Sequence, residues 1–303
     1  VLLLAPPATS AVPAASASTE AAVTAAPRPA LPRPAIWLLA DEDTNIYLFG
    51  TIHMLPPGLK WRSVALDRVV SAADELVLEV ASDPDEAEFL EMAEFVMLSK
   101  PVPILSRVTP DRRKPLGELT AAVGMAVEMF DGMQTWAAAM TIAVGALAQQ
   151  YAGKGAQAEM LTGVEDALRA DFIARRRPIS GVETGPQQLG FLAGTSPRTQ
   201  RRMLEEMVDD YRRIARVGAP GMPDDDGWLY GDAESVGEDM ETMPAELFDV
   251  LITRRNRAWT DWLIERLERP GTVLFAVGAG HLAGRDSVQS MLEARGYRVA
   301  RHD

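Results

Sequence analysis

Two histidines follow apolar runs of the chain at matching positions, and imidazole is the side chain best suited to proton transfer or metal binding near neutral pH. In YLFGTIHML, the segment Gly50-Thr-Ile-His53 ends the first run. In LFAVGAGHL, the segment Gly278-Ala-Gly-His281 ends the second. The chain has three histidines, and the third, His302, lies in the terminal tail. We interpret the two Gly-x-x-His segments as copies of a weak internal repeat.

Two glutamates lie where the pattern predicts buried strands. Glu79 is inside LVLEV, and Glu183 ends the strand of ISGVE. A carboxylate in such a place is costly unless it is paired or bound to a cation. The arginines of TRRNRAW, which are Arg254, Arg255 and Arg257, could supply the pairing. A purely structural interpretation of each glutamate therefore stays open beside a chemical one.

The chemistry that these side chains suggest is metal-assisted hydrolysis. Two imidazoles, His53 and His281, with one or both of Glu79 and Glu183, make a set suited to a divalent ion with open positions. Such an ion acidifies a bound water and polarises a carbonyl, and a neighbouring glutamate can act as the base.

The elements around these residues predict an α/β protein. Residues 35–50 read as a hairpin, and strands are also expected at residues 75–80, 178–183 and 297–301. Residues 272–282 read as a strand followed by a turn. Residues 109–152 show helical spacing and no strand, and the acidic stretch 222–246 is expected to be a solvated loop. Glycine lets the chain leave each strand sharply, so histidines at the ends of two neighbouring parallel strands can converge on one point.

Composition and short motifs exclude several classes of function. The net charge of −13 argues against nucleic acid as a partner, and the absence of cysteine excludes a thiolate metal site, a cysteine nucleophile and disulfides. No G-x-S-x-G segment supports a serine hydrolase. Residues 1–34 resemble the end of a secretory signal followed by an Ala/Pro-rich linker. We expect an exported protein, periplasmic or secreted, or one held at the membrane by an uncleaved N-terminal segment.

The chain resembles the TraB/GumN family, whose animal relatives include the Tiki metalloproteases. The resemblance covers about residues 36–301 and rests on these segments: YLFGTIHML, LVLEV, GVETGPQQLGFL, RRNRAW and VGAGHLAGRDSVQSMLEARGYRV. It implies one domain, residues 35–303, related at distance to erythromycin esterases and ChaN-like proteins. A central mixed sheet would come from both chain ends, with a large helical middle and two half-repeats related by pseudo-symmetry.

The resemblance also assigns residues. It implies that His53 and His281 are the paired family histidines, and that Glu79 and Glu183 are the family glutamates, without saying which is ligand and which is base. Arg255 and Asn256 match the Arg-Asn pair and would support the site or bind substrate. The function expected first is an exported metallopeptidase acting on a peptide or protein, with Mn, Co or Zn as its metal. A haem- or iron-binding protein without hydrolase activity and a non-metal esterase using His53 as base remain alternatives. The oligomeric state is open.

Overall fold

A mixed sheet of six strands is built from both ends of the chain. The computed structural model describes residues 31–55, 58–81, 84–152, 162–217 and 226–303. The strands are β1 (Ile36–Ala40), β2 (Thr44–Thr51), β3 (Glu75–Val80), β4 (Ile179–Glu183), β5 (Gly271–Gly278) and β6 (Val299–Arg301). Their order across the sheet is β4-β3-β5-β2-β1-β6. The leader and most of the linker lie outside the described residues.

The two strands that carry the Gly-x-x-His segments are neighbours. β2 and β5 pair in parallel along their whole lengths, with Gly50 opposite Val277 and Thr51 opposite Gly278. β3 and β4 continue the parallel part of the sheet, whereas β1 is antiparallel to both β2 and β6. The expectation of a mixed sheet drawn from both chain ends is confirmed. Parallel pairing requires long crossovers, which is how residues so distant in sequence become neighbours.

The expected pseudo-symmetry between the half-repeats stays a prediction. Each strand is followed by a helix and a further strand, in the orders β2, α1 (Val64–Ala72), β3 and β5, α12 (Val288–Ala294), β6. The crossovers are nevertheless unequal. β3 lies two positions from β2, while β6 lies three positions from β5 and beside the antiparallel strand β1.

Ten further α-helices complete the described part of the chain. They are α2 (Glu86–Val96), α3 (Pro110–Ala122), α4 (Thr135–Ala152), α5 (Val164–Ala174), α6 (Gly185–Ala193), α7 (Pro197–Val217), α8 (Asp226–Leu229), α9 (Ala233–Glu241), α10 (Ala245–Phe248) and α11 (Arg254–Leu267). A π-helical turn at Asp249–Thr253 joins α10 to α11. Within the described ranges, no helix is both long and apolar enough to cross a membrane.

Three apolar clusters hold these elements together. Alternation along the strands sends Phe49 and Leu76 to one face of the sheet, against α1 and α5, and Leu48 and Val77 to the other, against α11 and α12. The helical middle, chiefly α3, α4 and α7, has a third core of its own that includes Trp136. Both faces of the central strands are therefore covered, as expected for a parallel sheet.

The acidic stretch at residues 222–246 is not simply a solvated loop. Its described part, from residue 226 onward, forms α8, α9 and the start of α10. Trp228 and Leu229 are buried, and the Trp228 indole N–H donates to the Gly50 carbonyl oxygen at 2.8 Å. The expectation was wrong because burial of a few large apolar residues packs this segment against the rest of the protein. Its carboxylates that the structure describes remain in water on the exposed side of the segment.

Candidate functional site

The candidate site lies at the edge of the sheet where the four parallel strands end. His53 follows β2 by two residues, and His281 follows β5 in a short 3₁₀ turn. Glu79 is the penultimate residue of β3, and Glu183 is the last residue of β4. Because these strands run in the same direction, their carboxyl ends meet at one edge. The structure thus brings all four predicted residues to the same region.

Arg255 bridges the two glutamates. Its side chain is 1% exposed, and Nη2 donates to Glu79 Oε2 at 2.6 Å and to Glu183 Oε2 at 2.8 Å. Its Nε donates to Glu183 Oε1 at 2.9 Å. Gln188 of α6 also donates to both carboxylates, and the Trp259 indole donates to Glu183 Oε1 at 2.9 Å. The arginine pairing considered from the sequence is therefore present for both glutamates.

Asn256 determines the tautomer of His281. The two hydrogens of its Nδ2 go to the backbone oxygens of His281 and Asp286, at 3.1 and 2.7 Å. Its Oδ1 therefore accepts from His281 Nδ1, 2.6 Å away, and this nitrogen carries the proton. His281 Nε2 is left as an acceptor, and Arg255 Nη1 donates to it at 3.0 Å. The ring is fully buried and bonded through both nitrogens.

His53 has the opposite character, because one of its ring nitrogens is free. Its Nδ1 lies 2.7 Å from Glu165 Oε1, at the start of α5. Its Nε2 is buried and has no hydrogen-bond partner among the described residues. Buried polar atoms without partners are rare in folded proteins and call for an explanation, such as ligand binding or a catalytic role.

A small space beside Gly278 joins these groups. A Cβ added to Gly278 would lie 3.1 Å from Glu79 Oε1, 3.6 Å from His281 Cδ2 and 3.9 Å from His53 Nε2. Both imidazoles therefore lie within 4 Å of one point. The Gly278 N–H itself donates to Glu79 Oε1 at 2.8 Å. Glycine at this position leaves room at the point where the free imidazole nitrogen and a carboxylate oxygen meet.

Burial and neighbouring charges shift the pKa values of Glu79, His281 and His53 in different ways. Burial alone would raise the pKa of Glu79, but the charge of Arg255 outweighs burial and holds the pKa well below its ordinary value. Burial, and then the charge of Arg255, hold the pKa of His281 well below its ordinary value. Burial would lower the pKa of His53, yet the hydrogen bond to Glu165 outweighs it and raises the pKa. At neutral pH, Glu79 is ionised and His281 is neutral.

A divalent ion would find two open donors in this arrangement. His53 Nε2 has no partner within the residues that the structure describes, and Glu79 Oε1 accepts one N–H and retains further acceptor capacity. His281 Nε2, the third donor expected from the sequence, is taken by Arg255. Over the described ranges, no group of three or more His, Cys, Asp or Glu side chains is arranged to hold a metal. The residues fit an ion through His53 and Glu79, and a third ligand requires Arg255 to release His281.

Sequence reasoning missed Glu165, Thr51 and Gln188. Glu165 lies in a helix start, GVEDALRA, where acidic residues are common and carry no special signal. Gln188 lies inside the recognised ETGPQQ segment, so its proximity to Glu183 in the chain was the one available hint. The contacts of Glu165 with Thr51 and His53 depend on how α5 packs, which no local pattern indicates.

Comparison with known proteins places this α/β chain, with its histidines and glutamates at one sheet edge, in a family. The sequence model of the family described as the TraB/PrgY/gumN family matches residues 35–301, and the chain belongs to that family. "Uncharacterized protein YbaP" of Escherichia coli (strain K12) is 24% identical over 260 residues, which is 86% of this chain and 92% of YbaP. YbaP of Shigella flexneri matches to the same extent.

A shorter match connects the chain to a named metalloprotease. The "Metalloprotease TIKI homolog" of Amphimedon queenslandica is 38% identical over 65 residues, which is 21% of this chain and 13% of that protein. No solved structure matches the chain. Family membership confirms the resemblance seen in the sequence, and the short match makes hydrolysis a function to test.

Proposed function

We propose that this protein is a hydrolase that cleaves peptide bonds, with His53 at the centre of its active site. One observation carries the proposal: His53 Nε2 is buried and has no partner in the described part of the chain. It and Glu79 Oε1 both lie within 4 Å of the position of a Gly278 Cβ, at the edge of the sheet where α/β proteins place their ligands. The match over 65 residues to a protein named a metalloprotease adds support from similarity.

His53, Glu79 and Arg255 divide the work in this proposal. His53 Nε2 holds the lone pair that accepts a proton from water or binds a metal ion. Glu79 is kept ionised by Arg255, so its Oε1 presents negative charge at the same point. Arg255 also neutralises Glu183, which has the larger share of the guanidinium hydrogen bonds and is therefore the structural partner.

We further propose a divalent metal, Mn, Co or Zn, as the cofactor. His53 Nε2 and Glu79 Oε1 would hold it, and His281 Nε2 would join them once Arg255 turns away. Such an ion acidifies water and polarises a carbonyl. The second candidate is hydrolysis without metal, with His53 as general base, and the specific observation that favours it is the Arg255 N–H occupying His281 Nε2.

The test is cleavage of a mixed peptide library by the purified protein, with chelator and with added Mn, Co or Zn. His53→Ala should reduce the rate by about 10²-fold or more, the range for loss of a general base. His302→Ala is the matched control, because His302 is exposed and its ring contacts Tyr47 in the middle of β2. A rate lost in chelator and restored by metal supports the metallopeptidase, and a rate unaffected by chelator supports the metal-free base.

Two outcomes would overturn the proposal. One is equal cleavage by wild type and His53→Ala, which would place the activity elsewhere. The other is no cleavage of any peptide together with a haem absorption band in the purified protein, which would put the binding-protein alternative ahead.

We also propose that the substrate is an exported peptide or protein met outside the cytoplasm, with no role for nucleic acid. The leader sequence and the net charge of −13 support this. Fractionation of cells expressing the full chain, with mass spectrometry of its N-terminus, tests export and shows whether the leader is removed. Full-length protein recovered only from the cytoplasm would contradict the proposal.

A further inference from the structure

The loop that carries His53 is held from both sides by the segment that begins α5. The Val164 N–H donates to the Ile52 oxygen at 2.9 Å, and the Leu55 N–H donates to the Thr162 oxygen at 3.3 Å. These two bonds bracket the histidine. Its backbone is therefore positioned by residues far along the chain and not by β2 alone.

Gly163 allows this close approach. A Cβ at this position would lie 2.5 Å from the His53 carbonyl oxygen and 2.7 Å from Glu165 Oε2, which are contacts that no side chain tolerates. The segment 162–165 therefore lies directly against the histidine. A helix start that needed only to cover the sheet would not require such contact.

Glu165 then reaches the histidine ring. Its Oε1 lies 2.7 Å from His53 Nδ1, and the Thr51 hydroxyl donates to the same oxygen at 2.5 Å. The side chain is 18% exposed, so solvent does not displace these bonds readily. The carboxylate also lies in the first turn of α5, where the helix dipole favours negative charge. These contacts therefore hold the Glu165 carboxylate against one nitrogen of the His53 ring.

We propose that Glu165 is the positioning residue of the active site: it keeps the proton of neutral His53 on Nδ1 and so presents the Nε2 lone pair to Glu79 and Gly278. The nitrogen that carries the proton in a histidine is determined by the hydrogen bond at the other nitrogen. The catalytic meaning of this inference rests on the proposed function, since a proton acceptor and a metal ligand both need an unprotonated Nε2. The tautomer itself can be measured without any activity.

The measurement is nitrogen NMR of protein labelled at histidine, at alkaline pH and with chelator present, so that His53 is neutral and metal-free. The chain has three histidines, and single substitutions assign their signals. We expect wild-type His53 to show the proton on Nδ1. In Glu165→Ala the proton should move mainly to Nε2, because the Nε2-protonated tautomer is favoured when no acceptor faces Nδ1.

Two further variants separate positioning from stability. Glu165→Asp keeps the charge at the helix start but withdraws the oxygen by one methylene, so it should show the same tautomer change with less loss of stability. Asp166→Ala is the matched control. The Asp166 carboxylate accepts from the Gly163 N–H at 2.8 Å, and its removal should lower the melting temperature without moving the His53 proton.

Activity gives an independent readout. Glu165→Ala and Glu165→Asp should lower kcat by about 10²-fold or more with KM unchanged, as when a triad carboxylate that fixes a histidine tautomer is replaced. The inference is overturned if wild-type His53 carries its proton on Nε2, or if both Glu165 variants keep it on Nδ1. Absence of hydrolase activity in the wild-type protein would contradict only the proposed function, because the NMR result tests the role of Glu165 independently.

Discussion

At the scale of single residues, Arg255 is the group on which the buried charges depend. It is the common partner of Glu79 and Glu183, and it also donates to His281 Nε2 and to the Leu251 backbone oxygen. Its guanidinium lies 4.7 Å from the centre of the Trp259 ring, which adds a cation–π contact. Two ionised carboxylates can be buried together in this way only while the shared cation is present.

We predict that Arg255→Gln lowers the free energy of unfolding by about 3–5 kcal/mol, because it leaves buried carboxylates without a counter-charge. Urea denaturation measures the change. Arg254→Gln is the control, since Arg254 is adjacent in α11, its side chain is 65% exposed and it pairs with Asp249. An exposed pair contributes about 0–1 kcal/mol. Equal losses in the two variants would show that the buried bridge has no special weight.

The two histidines have different chemical roles despite their matching motifs. His281 is buried, neutral and bonded through both ring nitrogens, so it positions Arg255 as the structure stands. One nitrogen of His53 contacts a carboxylate, and the other has no partner in the described ranges of the chain. Equal motifs in the sequence therefore do not imply equal chemistry, because the partners of each ring come from different elements.

At the scale of elements, the parallel pair β2 and β5 positions the site. Their register places Thr51 opposite Gly278, so the residues that leave the sheet on each strand do so side by side. The 3₁₀ turn that begins at Ala279 then brings His281 back over the strand end. Gly278 lies at this junction, and its missing side chain leaves the space that the two histidines and Glu79 share.

We predict that Gly278→Ala leaves the fold intact but reduces peptide cleavage by about 10²-fold, the effect of a displacement of roughly 1 Å at reacting groups. The backbone of Gly278 has φ −48°, which alanine adopts without strain. The added methyl group would lie 3.1 Å from Glu79 Oε1 and fill the shared space.

The control for this prediction is Gly117→Ala in α3. A Cβ there would have no atom of the described residues within 4 Å. Alanine in a helix interior is more stable than glycine by about 1 kcal/mol. Activity and melting temperature of both variants are compared. If Gly278→Ala retained wild-type activity, the space beside Gly278 would not be where the reaction takes place.

At the scale of the whole molecule, both ends of the described chain meet at one edge of the sheet. β6 pairs with β1, the His302 N–H donates to the Ile36 oxygen at 2.9 Å, and the Ile36 N–H donates to Asp303 Oδ1 at 3.1 Å. Removing β6 would leave β1 as an open edge strand next to β2, which carries His53. An open edge is also a site for association with other chains.

We predict that deletion of residues 299–303 lowers the free energy of unfolding by a few kcal/mol and promotes aggregation, since each lost hydrogen bond contributes about 0.5–1.5 kcal/mol. Deletion of residues 1–30 should leave the unfolding midpoint unchanged, because the family match begins at residue 35 and β1 begins at Ile36. Thermal unfolding and light scattering measure both. Equal stability of the two truncated chains would contradict a role for β6 in closing the sheet.

Much of the fold followed from local patterns. The strands near residues 46–49, 75–80 and 272–277 were predictable because β-branched and large apolar residues run between glycines and polar turns. The segment at 226–241 was not, because Trp228 and Leu229 are too few to show helical periodicity and are buried only through tertiary contacts. For the site, position at a strand end was predictable, while the partner of each side chain was not.

The sequence by itself determined that His53, Glu79, Glu183 and His281 lie at strand ends, because glycine and apolar runs act within a few residues. Only the tertiary structure decided which of them are free. Arg255 reaches both glutamates from α11, and Glu165 reaches His53 from α5. These contacts join residues far apart in the chain, and they form because burying charge without a partner is costly. This cost arises only when packing removes the charges from water, so the sequence pattern alone does not reveal it.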